Sequence, residues 1–139
     1  MFKNILVPTD LTDNSRKALN VALDTLSEGK GVITLFHVIE SIDGVPYQEF
    51  EDFYDKLRRR AQRKMDEIAS QYGQGQIHIQ RQVAVGKRAR EILQFAEEHG
   101  VDLIVLSSHP IERSNPTEGW ATISYKVAIL SQCPVLMVK

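Results

Sequence analysis

Short apolar runs alternate with longer helical patterns along the whole chain. Val32–Val38 and Leu103–Leu106 are nearly continuous in apolar or β-branched character, as is usual for strands covered on both faces. Ile5–Val7 is a shorter run of the same kind, Ile77–Val85 alternates in its first half, and Pro134–Val138 is the last run. Between the runs, apolar residues recur at helical spacing, which predicts amphipathic helices. The pattern therefore predicts the order β-α-β-α-β-α-β-α-β.

The alternation of strands and helices indicates how the strands pair. Strands separated by helices favour parallel pairing with right-handed crossovers. The predicted fold class is therefore α/β, an open parallel sheet with helices on both faces, formed as a single domain over residues 1–139. The helix after the second strand is predicted to begin near Tyr47, and the last helix to run from Gly119 to Ser131.

Composition narrows the class of protein. With 139 residues, 42% of them apolar and 25% charged, the chain is long enough to bury a core and is not expected to be disordered. The net charge of −1 argues against a nucleic-acid partner. Acidic residues flank the basic run Lys56–Lys64. We therefore interpret that run as the solvated face of a helix with i,i+4 ion pairs, and not as a nucleic-acid or membrane surface.

The sequence lacks the signals of secretion and membrane insertion. Its first residues hold no long apolar stretch before a cleavage site, and no apolar run reaches the ~18 residues needed to span a bilayer. Cys133 is the only cysteine, so no disulfide can form within one chain. These observations predict a cytoplasmic protein with no membrane partner.

Polar residues follow the first strand, at the end of the sheet where open α/β folds bind ligands. Thr9 and Thr12 are expected to cap the helix that follows. His37 lies within an apolar strand, which favours a hydrogen-bonded core histidine over an acid–base or metal group. The histidines and the cysteine do not have the spacing of metal ligands, so no metal site is predicted.

Four segments together resemble the universal stress protein family. They are Ile5–Asp10, Leu35–Ile39, Val85–Leu106 and Cys133–Val138, and their order and spacing match that family over nearly the whole chain. The resemblance implies a five-stranded parallel sheet in the order 3-2-1-4-5, the adenine nucleotide alpha hydrolase-like arrangement. It also implies a homodimer formed through the last strand, Val135–Val138.

The resemblance further implies ATP or AMP bound at the carboxyl ends of the strands. Pro8, Thr9 and Asp10 match positions that contact adenine and ribose in nucleotide-binding members, and Val38 matches an adenine-contacting position. Asp10 therefore fits two roles, as an acceptor for a ribose hydroxyl or as a turn carboxylate, and both remain open. The candidate cofactor-binding residues are Pro8, Thr9, Asp10, Val38, Leu106, Ser107, Ala121, Thr122 and Ile123.

The loop after the fourth strand departs from the family's phosphate-binding pattern, Gly-x2-Gly-x9-Gly-(Ser/Thr). Ser107, Pro110 and Ala121 stand where the three glycines are expected. Glycines let the backbone approach phosphates closely, and proline has no N–H to donate. Thr122 keeps the final hydroxyl. The departure predicts that binding of a triphosphate is weakened.

Three functions remain open. The first is a regulatory binding module of the universal stress type that senses an adenine nucleotide. The second is a nucleotide-free module on the same scaffold, whose loop Ser107–Trp120 docks an unidentified protein partner. The third is a slow ATPase, although the sequence offers no general base, nucleophile or metal cluster for catalysis.

Overall fold

The structure, a computed structural model, describes residues 1–26, 31–72, 78–107 and 120–139, without the side chains of residues 120–122. Its strands are β1 (Asn4–Pro8), β2 (Val32–Glu40), β3 (Ile79–Gly86), β4 (Leu103–Ser107) and β5 (Val135–Val138). Its helices are α1 (Ser15–Thr25), α2 (Glu51–Ser70), α3 (Arg88–Glu98) and α4 (Trp120–Leu130). The strands form one parallel sheet in the order β3-β2-β1-β4-β5, so the predicted fold class and strand order are confirmed.

Helices cover both faces of the sheet because the side chains of each strand alternate between the faces. Along β2, Ile33, Leu35 and Ile39 pack in one apolar cluster with α1 and α2. Phe36 and Val38 pack in the other, with α3 and α4. All five side chains are buried. Polar side chains of the described strands can therefore meet a ligand at the strand ends more easily than on the faces.

The helix after β2 begins later than predicted. Tyr47–Phe50 form a turn of 3-10 helix, and α2 begins at Glu51. The carbonyl of Pro46 accepts an i to i+3 hydrogen bond at 3.1 Å, which is the bond of the tighter helix. The ring of Tyr47 stacks on that of Tyr54 with 5.3 Å between centroids, so this turn is tied to the first part of α2. The predicted start near Tyr47 therefore falls on the 3-10 turn, and the α-helix proper begins four residues later.

The other predicted boundaries differ at their ends. β3 begins at Ile79, and the predicted start at Ile77 lies outside the described residues. The predicted first residue of the last helix, Gly119, also lies outside them. That helix ends at Leu130, and the N–H of Ser131 still donates to the Val127 carbonyl at 2.9 Å.

Asp102 links the start of β4 to the start of β1 at the amino end of the sheet. Its carboxylate accepts hydrogen bonds from the main-chain N–H groups of Lys3, at 2.9 Å, and Asn4, at 3.1 Å. The N–H of Asp102 in turn donates to the Asn4 carbonyl at 2.9 Å. The side-chain amide of Asn4 donates to the carbonyls of His99 and Gly100. The residues that precede β4 are thus bonded to the start of β1.

The basic run on α2 is largely solvated, but its ion pairs differ from the prediction. Among the described residues, this helix pairs Lys64 with Glu67 at 3.8 Å, an i,i+3 pair, and Asp66 with Arg81 of β3 at 3.1 Å. The prediction of i,i+4 pairs is therefore wrong for the part of the chain that the structure describes. None of the helices described there is both long enough and apolar enough to cross a membrane.

Candidate functional site

A crevice is expected where β1 and β4 meet, because the chain reverses its direction of winding there. In the sheet, β2 lies next to β1 on one side, and β4 lies next to β1 on the other side, followed by β5. β1 pairs with β4 through Ile5–Leu6 and Leu103–Ile104, and each strand continues beyond that pairing, to Pro8 and Ser107. Ligands of open α/β sheets bind outside the carboxyl ends of strands at such a switch point.

Most of the predicted site residues lie at this end of the sheet. Pro8 and Leu106 are buried at the ends of β1 and β4, and Val38 is buried near the end of β2. Thr9 and Ser107 are buried polar residues, 1% and 5% exposed. Asp10 and Ile123 are half-buried, the latter in the first turn of α4. The side chains of Ala121 and Thr122, and the loop positions 108–119 with Pro110, lie outside the described residues.

Asp10 is the acceptor of a compact turn that follows β1. Its Oδ1 accepts hydrogen bonds from the N–H of Thr12 at 3.0 Å and from the Thr12 hydroxyl at 2.5 Å. The hydroxyl of Ser15 donates to the same oxygen at 3.3 Å. A side-chain oxygen that bonds the backbone two residues on forms an Asx-turn. The turn role of Asp10 is thus present in the structure, and it fixes the orientation of the carboxylate.

Leu11 adopts an unusual backbone conformation inside this turn. Its φ is 67°, in the left-handed region that costs a residue with a side chain about 1–2 kcal/mol. The hydroxyl oxygen of Thr9 accepts a bond from the Leu11 N–H at 2.9 Å. Strained backbone of this kind persists only where the surroundings hold it, and it is concentrated at functional sites.

Thr9 and Thr12 do not cap α1, so that prediction is wrong. The residue before the first turn of α1 is Asn14, and no side-chain capping bond is made there. The Thr9 hydroxyl instead contacts Ser15 Oγ at 2.5 Å, and the Thr12 hydroxyl bonds Asp10. The two threonines therefore stabilise the turn and not the helix terminus.

Ser15 is a site residue that the sequence reasoning missed. It is 1% exposed and joins Thr9 Oγ1 to Asp10 Oδ1. A signal was available, because Ser15 shares the buried face of α1 with Ala18, Leu19 and Ala22. A polar side chain on a buried face needs a hydrogen-bond partner, and the polar residues just before the helix are the nearest candidates.

His37 ties the end of β2 to the turn. Its Nδ1 lies 2.8 Å from the carbonyl oxygen of Thr9, and because a carbonyl only accepts, the ring donates from Nδ1. Burial is the main cause that lowers the pKa of His37 below its ordinary value of 6.5. The positive charge of Arg88 acts in the same direction, whereas the bond to Thr9 and the charge of Asp10 oppose it. The predicted hydrogen bond of His37 is confirmed, whereas its predicted place in the core is not, because the side chain is half-buried.

Two cations at the start of α3 lie near the same strand ends, and each has an acidic partner. Lys87 Nζ lies 2.5 Å from a carboxylate oxygen of Asp43, and the hydrogen bond to that carboxylate raises the pKa of Lys87. Arg88 pairs with Glu40, the last residue of β2, at 3.8 Å. These exposed pairs leave little net charge at this edge of the site.

The carboxyl end of β4 is held by the last helix. The hydroxyl of Ser124, which is fully buried, donates to the Ser107 carbonyl at 3.3 Å. This bond attaches the first turns of α4 to the carboxyl end of β4. In the part of the chain described, no group of three or more His, Cys, Asp or Glu side chains is placed to hold a metal ion.

An open parallel sheet with a carboxylate held after the carboxyl end of β1, at the switch point of the strand order, is typical of a class of α/β domains that bind ligands outside the strand ends. The family model of the universal stress protein family matches residues 1–139. This chain belongs to the universal stress protein family, and its sheet has the adenine nucleotide alpha hydrolase-like arrangement.

Two relatives match the full length of the chain. Universal stress protein YxiE of Bacillus subtilis is 31% identical over 150 residues, covering 100% of both proteins. Universal stress protein MJ0577 of Methanocaldococcus jannaschii is 30% identical over 159 residues, covering 100% of this chain and 96% of the relative. The solved structure of MJ0577 matches with a TM-score of 0.84, covering 100% of this chain and 96% of that one.

Two further solved structures were determined with adenine nucleotides. A universal stress protein family protein from Arabidopsis thaliana with AMP bound has a TM-score of 0.67 at 17% identity, covering 99% of this chain and 91% of that one. A universal stress protein in complex with cAMP has a TM-score of 0.64 at 20% identity, covering 99% and 97%. At these identities the likeness shows the shared fold alone.

Proposed function

We propose that this protein is a regulatory binding protein that takes an adenine nucleotide into the crevice at the carboxyl ends of β1, β2 and β4. The observation that carries the proposal is the Asp10 carboxylate, half-buried at the switch point, where it accepts hydrogen bonds from Thr12 and Ser15. A carboxylate beside a crevice suits the hydroxyls of a ribose. Buried Pro8, Val38 and Leu106 offer apolar surface for the base.

The adenosine part of the ligand supplies most of the affinity in this proposal. Ser107, Pro110 and Ala121 stand in the sequence where the family pattern has phosphate-binding glycines. Fewer backbone N–H groups can then approach a triphosphate closely. Two neighbours in fold were solved with AMP and with cAMP, and each of these ligands carries a single phosphate group. We therefore expect AMP to bind at least as tightly as ATP.

The test is calorimetric titration of AMP, ADP and ATP, with and without magnesium, into nucleotide-stripped protein. We expect saturable binding by the wild type and at least a tenfold loss of affinity in Asp10→Ala, since one good charge-assisted hydrogen bond contributes about 1.5–3 kcal/mol. Asp13→Ala is the matched control. It removes the same charge three residues away, from an exposed side chain that pairs only with Arg16 at 3.6 Å among the described residues.

The titration separates the proposed functions. No heat and no thermal shift with millimolar nucleotide would reject nucleotide binding and favour the nucleotide-free module with a protein partner. An equal loss of affinity in both aspartate variants would show a general effect of charge. Release of phosphate from ATP by the wild type, measured in the same preparations, would favour the slow ATPase over the binding protein.

We also propose that the protein is a homodimer formed through β5. This strand is the edge of the sheet, with Leu136 40% exposed, and the nearby end of α4 carries Ile129 and Leu130 at 79% and 63% exposure. An apolar edge strand of this kind is a template for pairing with another chain. A second copy of the chain provides the same apolar edge, so pairing of the two β5 strands covers this edge in both copies at once.

Light scattering after gel filtration tests the dimer. Leu136→Arg should give the mass of a monomer or an aggregate, because it places a charge in the middle of the paired edge. Ile42→Arg is the control, since Ile42 is similarly exposed, at 46%, but lies in the β2–α2 connection. A dimer mass that survives Leu136→Arg would contradict this geometry.

We further propose that the protein is cytoplasmic, and cell fractionation tests this location.

A further inference from the structure

We propose that His37 is the positioning residue of the candidate nucleotide site. It fixes the point at which the chain turns out of the sheet after β1, and thereby holds the Asp10 carboxylate in place. The role in ligand binding rests on the function proposed above, whereas the role in holding the turn does not.

The two main-chain polar groups of Thr9 are held by consecutive residues of β2. The N–H of Thr9 donates to the carbonyl of Phe36 at 2.8 Å, which continues the pairing of β1 with β2 one residue beyond Pro8. The carbonyl of Thr9 accepts from Nδ1 of His37 at 2.8 Å. The side chain of His37 thus holds the last peptide group before the backbone turns at Asp10.

The position of Thr9 is passed on to Asp10 through two hydroxyls. Thr9 Oγ1 accepts from the N–H of Leu11, so the hydroxyl hydrogen of Thr9 is available to Ser15 Oγ at 2.5 Å. Ser15 then donates its own hydrogen to Asp10 Oδ1 at 3.3 Å. Each hydroxyl donates once, so the hydrogens run in one direction from Thr9 to the carboxylate. Displacement of Thr9 would disturb both bonds.

The strained backbone makes the turn dependent on these bonds. Leu11 has a φ of 67°, which a residue with a branched side chain adopts only where neighbouring contacts hold it. The bonds that hold it are made by Thr9 and Asp10, and Thr9 is in turn held by His37. Loss of the His37 bond should therefore loosen residues 9–12 before it affects the core.

The chemistry required of residue 37 is one neutral N–H donor at the position of Nδ1. Burial lowers the pKa of His37, which agrees with a neutral ring. Asparagine carries a neutral N–H at the same number of bonds from the backbone, whereas leucine has similar bulk and no donor. His37→Asn and His37→Leu are therefore a matched pair for the donor alone.

The experiment is amide hydrogen exchange by NMR on the full chain without nucleotide. In His37→Leu we expect protection of the Leu11 and Thr12 amides, which donate to Thr9 and Asp10, to fall about tenfold, the order of one lost hydrogen bond. Amides of Leu6 and Ile104 in the strand interior should keep their protection. His37→Asn should keep protection at all four sites within about threefold of the wild type, which a role of bulk alone would not produce.

Two results would overturn the proposal. One is unchanged protection of Leu11 and Thr12 in His37→Leu. The other is an equal fall at all four amides in both variants, which would mean general destabilisation. Titration of AMP into the same variants then tests the site, with about a tenfold weaker dissociation constant expected for His37→Leu and little change for His37→Asn. A wild type that binds no AMP would refute the proposed function and leave the exchange result to decide the role of His37.

Discussion

At the amino end of β1 the carboxylate of Asp102 accepts hydrogen bonds from Lys3 and Asn4, whereas at its carboxyl end Asp10 accepts from Thr12 and Ser15. The bonds of Asp102 connect residues that are separated by 98 and 99 positions in the sequence. The Asp10 bonds span two to five positions. One carboxylate therefore links distant parts of the sheet, and the other organises its own neighbourhood.

This difference gives the two ends of the sheet different roles in the proposed function. At the amino end, β1 is bonded directly to the segment before β4. At the carboxyl end, the hydrogen bonds described for the Asp10 carboxylate come from Thr12 and Ser15, within the turn that follows β1. Long-range bonds stabilise the fold at the amino end, and local bonds hold the carboxylate of the proposed nucleotide site at the carboxyl end.

The largest expected effect is on stability at the amino end. Asp102→Ala leaves two N–H groups without their acceptor, and we expect the free energy of unfolding to fall by about 2 kcal/mol. Affinity for AMP should not change. Urea denaturation checks the first value, and titration of the folded variant checks the second.

The reciprocal variant sharpens the comparison. Asp10→Ala should lower the free energy of unfolding by no more than about 1 kcal/mol, because water can replace the carboxylate at exposed Thr12 and the buried Ser15 hydroxyl keeps its contact with Thr9 Oγ1. Affinity for AMP should fall at least tenfold. If both variants lose stability equally, and neither loses affinity selectively, the division between the two ends of the sheet is wrong.

The smallest expected effect is a dependence of stability on pH that originates at the carboxyl end. The pKa of His37 is lowered in the folded state, so the unfolded chain takes up a proton first as the pH falls below about 6.5. Stability is complete above that pH and declines from there down to the folded pKa. Urea midpoints between pH 7.5 and 5.5 should therefore fall more for the wild type than for His37→Asn. Parallel midpoints for the two proteins would contradict this assignment.

The elements were predictable because their signals are local. Buried parallel strands such as Leu103–Ser107 read as continuous apolar runs, and the helical stripes between them follow from spacing alone. The start of α2 was not predictable to the residue, because a turn of 3-10 helix, in which Tyr47 stacks on Tyr54, precedes it. Helix capping by Thr9 failed as a prediction because buried Ser15 competes for its hydroxyl.

The sequence by itself determined the alternation of strands and helices, the location of Asp10 after the first strand, and the absence of the phosphate-loop glycines at 107, 110 and 121. These properties depend on residue type and near neighbours. Only the tertiary structure decided that His37 bonds the Thr9 carbonyl and that the Asp102 carboxylate accepts hydrogen bonds from Lys3 and Asn4 at the start of β1. Both contacts join segments that are far apart in the chain, and such partners meet only once the parallel strands have taken their register.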